Sequence, residues 1–160
     1  MPILIATTTA SFLLSLLAGF IAERALTTTI PVLGSLAELR LTHNPGIAFG
    51  LALPPIIQEI AIVAALIVVV AMAAVREHRS GVLRPLGFGC IIGGALANLI
   101  DRAMDGVVTD FVSVRWFSVF NLADACITAG AALLLIHALR PRRAVGERGV
   151  DSTNIDKNIQ

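Results

Sequence analysis

Four of the six aspartates fall in one stretch of the chain, at Asp101, Asp105, Asp110 and Asp124. They lie at or beside the ends of two long apolar stretches, where a carboxylate is costly unless it faces a cavity or a partner. Two carboxylates held close together cannot both ionise, so they share one proton. The charged member can then activate a water molecule while the protonated member polarises a carbonyl, as in aspartic proteases. The residue types leave the choice of pair open: Asp101 with Asp124 is one option, and Asp105 is interpreted as a solvated loop residue.

Polar side chains beside these aspartates repeat at helical spacing. Asn98, Asp101 and Arg102 would share one helix face, and Asn121 and Asp124 another, because residues three and four apart lie on the same side. Arg102 can pair with Asp101 or with an anionic ligand group, since its planar guanidinium suits a carboxylate or a phosphate. The asparagines can also serve only to join two membrane helices by hydrogen bonds. Both interpretations predict that the two faces meet.

Other catalytic chemistries lack the residues that they need. The sequence contains no HExxH and no GxSxG motif, and it has three histidines, His43, His78 and His137. Cys90 and Cys126 are too few for a four-cysteine zinc site. Their predicted depths differ by roughly 13–15 Å, whereas a disulfide needs Cα atoms within about 7 Å. The net charge of +1 gives no basic field for nucleic acid. We therefore expect no metal, no cofactor and no nucleic-acid partner.

The composition places these residues in a membrane protein. Hydrophobic residues make up 56% of the 160 residues and charged residues 14%, whereas soluble domains have about 45–50% and about 25%. A spanning helix needs about 20 mostly apolar residues, and four stretches supply them, at 3–22, 56–75, 86–104 and 119–139. The sequence predicts an all-α membrane protein with four transmembrane helices that form one domain over residues 1–140.

The positive charges predict the orientation of these helices. Eight of the 12 Lys and Arg residues fall in the connector 76–85 or in the tail after Leu139. The positive-inside rule places such segments in the cytoplasm. Both termini are then cytoplasmic, and the segments 23–55 and 105–118 face outward. The polar tail 141–160 is predicted to be disordered.

The outer segment 23–55 is too long for a turn and shows signs of β-structure. Residues 27–30 have high β-propensity, and residues 39–42 alternate between apolar and polar. Asn44-Pro45-Gly46 is a turn signal. We therefore expect a small extracytoplasmic β-rich element between the first and second helices.

Four short motifs occur in an order that resembles the lipoprotein signal peptidases, the type II signal peptidases of bacteria. They are NPGIAF at 44–49, GGALANLIDR at 93–102, VVTDF at 107–111 and FNLAD at 120–124. Each motif alone is weak. Four in this order, on four predicted spans, are highly specific to the family.

The resemblance implies a role for each motif residue. The catalytic pair of the family corresponds to Asp110 and Asp124, which replaces the pairing of Asp101 with Asp124. Asp101 becomes a supporting residue that orients Arg102 and the outer segment. The substrate-contacting residues of the family correspond to Asn44, Gly46, Asn98, Arg102 and Asn121.

The resemblance also implies a reaction and its partners. The protein would be an intramembrane aspartyl endopeptidase that removes the signal peptide of a prolipoprotein by cutting before a diacylglyceryl-modified cysteine. Its partners would be that substrate, membrane lipids and globomycin-type inhibitors, and it would act as a monomer in the bacterial cytoplasmic (inner) membrane. The alternative is a small proton-coupled membrane transporter that uses the aspartates as a relay.

Three features depart from the family pattern, of which the smallest is Ala97, where the family usually has glycine. Glu23-Arg24 stands where the family usually has Asp-Gln-x-x-Lys, so the lysine is missing and Arg24 is a candidate substitute. The stretch 110–124 is a few residues shorter than is usual, which predicts a short flap over the site.

Overall fold

The computed structural model describes residues 1–46, 54–75 and 81–140. Four helices in these ranges are long and apolar enough to cross a membrane: α1 (Pro2–Ala25), α2 (Pro55–Ala74), α3 (Leu83–Asp105) and α4 (Leu122–Leu139). Large apolar side chains cover much of their outward surface, as contact with lipid requires. The four predicted spans are confirmed. The predicted disordered tail 141–160 and the motif residues Ile47, Ala48 and Phe49 lie outside the described residues.

Helix α3 lies at the centre of the bundle, between α1 and α4, with α2 beside it. Glycines allow this close packing. A Cβ at Gly93 would lie 2.5 Å from the carbonyl oxygen of Thr8 on α1, and one at Gly94 would lie 2.5 Å from that of Ala123 on α4. Small residues of this kind let membrane helices approach closely. The two faces of α3 are therefore fixed against two different helices.

The fourth helix begins three residues later than the apolar stretch predicts. Asn121 has extended backbone and caps the helix: its side chain accepts the N–H of Asp124, while Asp124 accepts the N–H of Asn121. This reciprocal capping box satisfies backbone donors that the first helical turn leaves free. The prediction that Asn121 lies on a helix face was wrong, because Asn121 precedes the helix and Asp124 occupies its first turn.

A three-stranded antiparallel sheet sits at one end of the bundle. Its strands are β1 (Ile30–Pro31), β2 (Ala37–Asn44) and β3 (Val108–Val114), in the spatial order β1-β2-β3. The first two strands confirm the predicted β-rich element between α1 and α2. The third was missed, since its residues were interpreted as the loop 105–118. After β3 the chain turns back and Phe120 pairs with Val112, so the short stretch 110–124 forms a tight hairpin that leads into α4.

Side chains from two helices hold the sheet to the bundle. Asp101 Oδ2 on α3 accepts the N–H of Thr109 at 2.7 Å. Glu23 Oε1, at the end of α1, lies 3.3 Å from His43 Nε2 and accepts from Thr109 Oγ1 at 3.4 Å. Arg24 instead lies over the Phe20 ring, 4.1 Å from its centroid. His43, rather than Arg24, is therefore the partner of the acidic residue at this corner.

Candidate active site

Asp110 lies in the middle of β3 and is only 2% exposed. Asn44, at the end of β2, donates from Nδ2 to Asp110 Oδ2 at 3.1 Å. The other carboxyl oxygen, Oδ1, is buried and has no hydrogen-bond partner among the described residues. A buried acceptor without a partner is costly. This oxygen is therefore placed to hold a proton or to contact a bound molecule.

The surroundings of Asp110 raise its pKa from 3.8 to about 6. Burial is the main cause, because it penalises the charged form. The hydrogen bond from Asn44 opposes this effect, and the negative charges of Asp124 and Asp101 add to it. Arg102 lowers the pKa through its positive charge. Asp110 thus lies within electrostatic reach of both neighbouring carboxylates and is half protonated near pH 6.

Asp124 sits in the first turn of α4, among donors. Its Oδ1 accepts from Asn98 Nδ2 on α3 at 2.8 Å, and its Oδ2 accepts the N–H of Asn121 at 3.4 Å. Asn121 Nδ2 in turn donates to Asn98 Oδ1 at 2.9 Å. Donors to a carboxylate, and the N-terminus of a helix, both stabilise negative charge. The polar side chains assigned to the two predicted faces do meet, around Asp124, although Asn121 reaches this place from the helix cap and not from a helix face.

Asp101 and Arg102 are neighbours with separate environments. The Oδ2 atom of Asp101 is used to fix Thr109, the residue before Asp110, which agrees with a supporting role toward the outer segment. No ion pair joins Asp101 to Arg102 within the ranges described above. The Nε atom of Arg102 is buried without a hydrogen-bond partner there. The predicted orienting of Arg102 by Asp101 is therefore not seen, and Arg102 is left as a cation close to Asp110.

Gly46 closes the turn that orients Asn44. Its N–H donates to Asn44 Oδ1 at 2.9 Å, while the amide nitrogen of Asn44 points to Asp110. Gly46 has a φ of 99°, which favours glycine, and a Cβ there would collide with the side chain of Gln58 on α2. The turn signal is confirmed, and glycine is needed for both backbone conformation and space.

A small cavity lies behind the two asparagines. Ser15 on α1, Asn98 and Asp101 on α3, Thr109 on β3 and Asn121 are among the residues that line it. Ser15 Oγ is buried and has no hydrogen-bond partner among the described residues. Sequence reasoning did not single out Ser15, since a serine in an apolar span gives no signal. Cys90 and Cys126 are both free thiols, as predicted.

Comparison with known proteins identifies the family. Residues 8–140 match the family model described as signal peptidase (SPase) II. A lipoprotein signal peptidase of Moorella thermoacetica is 41% identical over 123 residues, which cover 76% of this chain and 79% of the relative. That of Brucella ovis is 46% identical over 112 residues, covering 67% of this chain and 69% of the relative.

The fold has a counterpart among solved structures. One described as a bacterial membrane enzyme superposes with a TM-score of 0.78 at 22% identity, over 94% of this chain and 95% of the other. The same arrangement of helices and sheet therefore occurs in a solved bacterial membrane enzyme. Together with the family match over residues 8–140, this means that the chain belongs to the signal peptidase II family of membrane peptidases.

Proposed function

We propose that this protein removes signal peptides from prolipoproteins in the bacterial cytoplasmic membrane, with Asp110 and Asp124 as its catalytic pair. Family membership supports the substrate class. The observation that carries the mechanism is the electrostatic coupling between a buried carboxyl on β3 and a second one at the start of α4. We expect cleavage before a cysteine that carries a diacylglyceryl group, as the family resemblance implies, and that lipid would hold the cleavage site at the membrane surface.

The surroundings of the two aspartates support different roles for them. Asp110 is buried, with one oxygen unpartnered and a pKa raised to about 6, so it is the protonated member. Asp124 accepts hydrogen bonds from Asn98 and Asn121 at a helix N-terminus, surroundings that suit the general base. Asp124 takes a proton from a water molecule, and the oxygen of that water attacks the carbonyl carbon of the peptide bond. Asp110 donates a hydrogen bond to the carbonyl oxygen. The departing amine then receives a proton from the pair as the C–N bond breaks.

The other residues that correspond to family motif positions orient the two carboxyls or bind substrate. Asn44 is fixed by the turn at Gly46 and orients Asp110, while Asn98 and Asn121 orient Asp124. We expect Asn44, Gly46, Asn98 and Asn121 to contact the substrate as well. Arg102 has no ion-pair partner among the described residues, and its guanidinium suits the oxygen atoms of the substrate backbone or of its lipid ester.

The placement of the carboxylates favours a peptidase over a proton-coupled transporter. The described helices hold Glu23, Glu59, Asp101, Asp105 and Asp124. These residues lie at the end of α1, the start of α2, the end of α3 and the start of α4, which is one end of an antiparallel bundle. A relay across the membrane needs titratable groups along its path. In the described chain the acidic groups stop at that end, which we place on the outer side, with both termini in the cytoplasm.

A cleavage assay with purified protein in detergent tests the proposal. The wild-type protein is expected to process a lipidated prolipoprotein and to leave the unlipidated form uncut. Asp110→Asn and Asp124→Asn should each abolish processing while the protein remains folded, and Asp105→Asn is the matched control that should retain it. Substantial processing by either dyad variant would rule out the proposed pair, and processing of unlipidated substrate at the same rate would rule out the proposed lipid requirement.

A binding experiment tests the role of Arg102. Arg102→Ala should weaken globomycin binding much more than Arg115→Ala, because Arg115 lies at the far end of the sheet, where it bonds to Ser35. Equal losses in the two variants would show that positive charge in general, and not the position of Arg102, matters for binding.

A further inference from the structure

One end of the sheet carries an exposed apolar surface. Ala37 pairs with Val114 at this end, whereas Asn44 pairs with Val108 at the end near Asp110. Beyond Ala37 and Val114, two turns come together, and we name residues 32–36 and 115–117 the sheet tip. Five large apolar side chains there are more than half exposed, among them Trp116 at 88% and Phe117 at 70%; the others are Val32, Leu33 and Leu36. Large exposed apolar side chains that are close in the fold typically mark a surface that binds a partner or a membrane.

The sheet tip is a built structure. The N–H of Arg115 donates to the carbonyl of Leu36 at 2.9 Å, and Arg115 Nη1 donates to Ser35 Oγ at 3.0 Å. Trp116 has a φ of 64°, a left-handed conformation that bulky residues rarely adopt. The N–H of Phe117 bonds to the carbonyl of Val114 at 2.9 Å. The indole is therefore turned outward by a backbone that these contacts hold in an unfavourable conformation.

The membrane is the partner that fits this surface. The sheet sits at one end of four helices that are apolar enough to cross a membrane, so a bilayer around these helices would lie beside the sheet. Tryptophan is enriched where headgroups meet acyl chains, and arginine reaches the phosphates from there. The Arg115 guanidinium lies over the Trp116 ring, 5.0 Å from its centroid, which joins the two groups that such a boundary attracts.

We infer that the sheet lies along the membrane surface, with Trp116 and Phe117 inserted at the boundary between headgroups and acyl chains. Val114 lies four positions after Asp110, a distance of roughly 14 Å along a strand. A sheet standing upright on the bundle would lift the tip that far into water. A sheet lying flat reaches the lipid beside the bundle, so strand β3 is anchored at both ends, by Thr109 to the bundle and by the sheet tip to the bilayer.

The single tryptophan of the chain makes the test direct. The wild-type protein is reconstituted into vesicles whose phospholipids are brominated either near the headgroup or near the chain terminus. We expect a greater loss of Trp116 emission with bromines near the headgroup, and little loss with aqueous iodide. As a depth control, the double variant Trp116→Phe, Leu14→Trp places the tryptophan at an exposed position near the middle of α1. In this variant, the lipid brominated near the chain terminus should quench the emission more strongly than the lipid brominated near the headgroup.

Two outcomes would overturn the inference. Strong quenching by iodide with no effect of either brominated lipid would mean that the sheet stands upright in water. Protection of Trp116 that arises only when a prolipoprotein is added would mean that the sheet tip docks the substrate. The measurement reads lipid contact and not cleavage, so it stands even if the proposed activity fails.

Discussion

Replacing Asp110 with asparagine is expected to stabilise the folded protein at neutral pH, although it removes a proposed catalytic group. The pKa of Asp110 is raised from 3.8 to about 6, so the folded chain binds this proton more tightly than the unfolded chain does. Stability is therefore highest below the unfolded pKa and falls as the pH rises through about 6. A tenfold change in proton affinity corresponds to about 1.36 kcal/mol. The ionised carboxylate thus costs the folded state about 3 kcal/mol at pH values above its folded pKa.

Asparagine removes the charge and keeps the shape. Its side-chain oxygen can still accept from Asn44, so the turn beside it is retained. We expect Asp110→Asn to exceed the wild type by up to about 3 kcal/mol at pH 7.5, and the two proteins to converge toward pH 4. Thermal unfolding followed by circular dichroism, in one detergent at both pH values, measures the difference.

Asp105→Asn is the matched control for this experiment. Asp105 is exposed, and asparagine can keep the hydrogen bond that its Oδ1 accepts from the N–H of Val107 at 3.1 Å. The control should unfold like the wild type at both pH values. Equal midpoints for Asp110→Asn and the wild type at pH 7.5 would show that the buried carboxylate is not destabilised. An equal rise in Asp105→Asn would assign the effect to net charge.

Three further predictions follow from the same geometry. The kcat/KM of cleavage should fall as the pH rises through about 6, because the pair loses its shared proton. Asn44→Ala should move this fall to higher pH, because the variant lacks a hydrogen bond that favours the Asp110 carboxylate. Gly94→Ala should lower both the unfolding midpoint and the cleavage rate, since its Cβ meets a carbonyl of α4 and overpacking costs about 1–3 kcal/mol; Gly19→Ala, where a Cβ meets nothing within 4 Å, is its control. Ser15→Ala should leave the unfolding midpoint unchanged or raise it, because its buried hydroxyl has no partner in the described chain; a lower midpoint would contradict this.

The four helices were predictable because apolar length is a property of consecutive residues. The ends of the helices were less predictable. The apolar run includes Val119 and Phe120, whereas α4 begins only after its N-cap, Asn121. The capping pattern was present in the sequence as Asn121 and Asp124, but the same spacing also fits two neighbours on a helix face. Asn121 acts as an N-cap because the hairpin before it holds its backbone extended. The pattern of apolar residues gives no sign of this hairpin.

The missed strand explains why residue spacing pointed to Asp101, and not to Asp110, as the partner of Asp124. The segment 108–114 is rich in β-branched residues, which is a signal for a strand. Its partner β2 is distant in sequence, so the pairing is not visible locally. Helical spacing drew attention to Asp101, whereas Asp110 has no helical neighbours because it lies on a strand. The family resemblance, and not the helical spacing, predicts Asp110 as the partner of Asp124.

Asp110 and Asp124 reach one site from different kinds of element, and this difference gives them different surroundings. Asp110 is buried on a strand, and within the described residues its carboxyl accepts a hydrogen bond from Asn44 alone. A helix N-terminus surrounds Asp124 with donors, and the close approach of α3 to α4 at Gly94 brings Asn98 within hydrogen-bond distance of it. Two carboxyls in equal surroundings would compete for the shared proton. Under the proposed mechanism, the packing of the membrane helices would assign the proton to Asp110 and the action on water to Asp124.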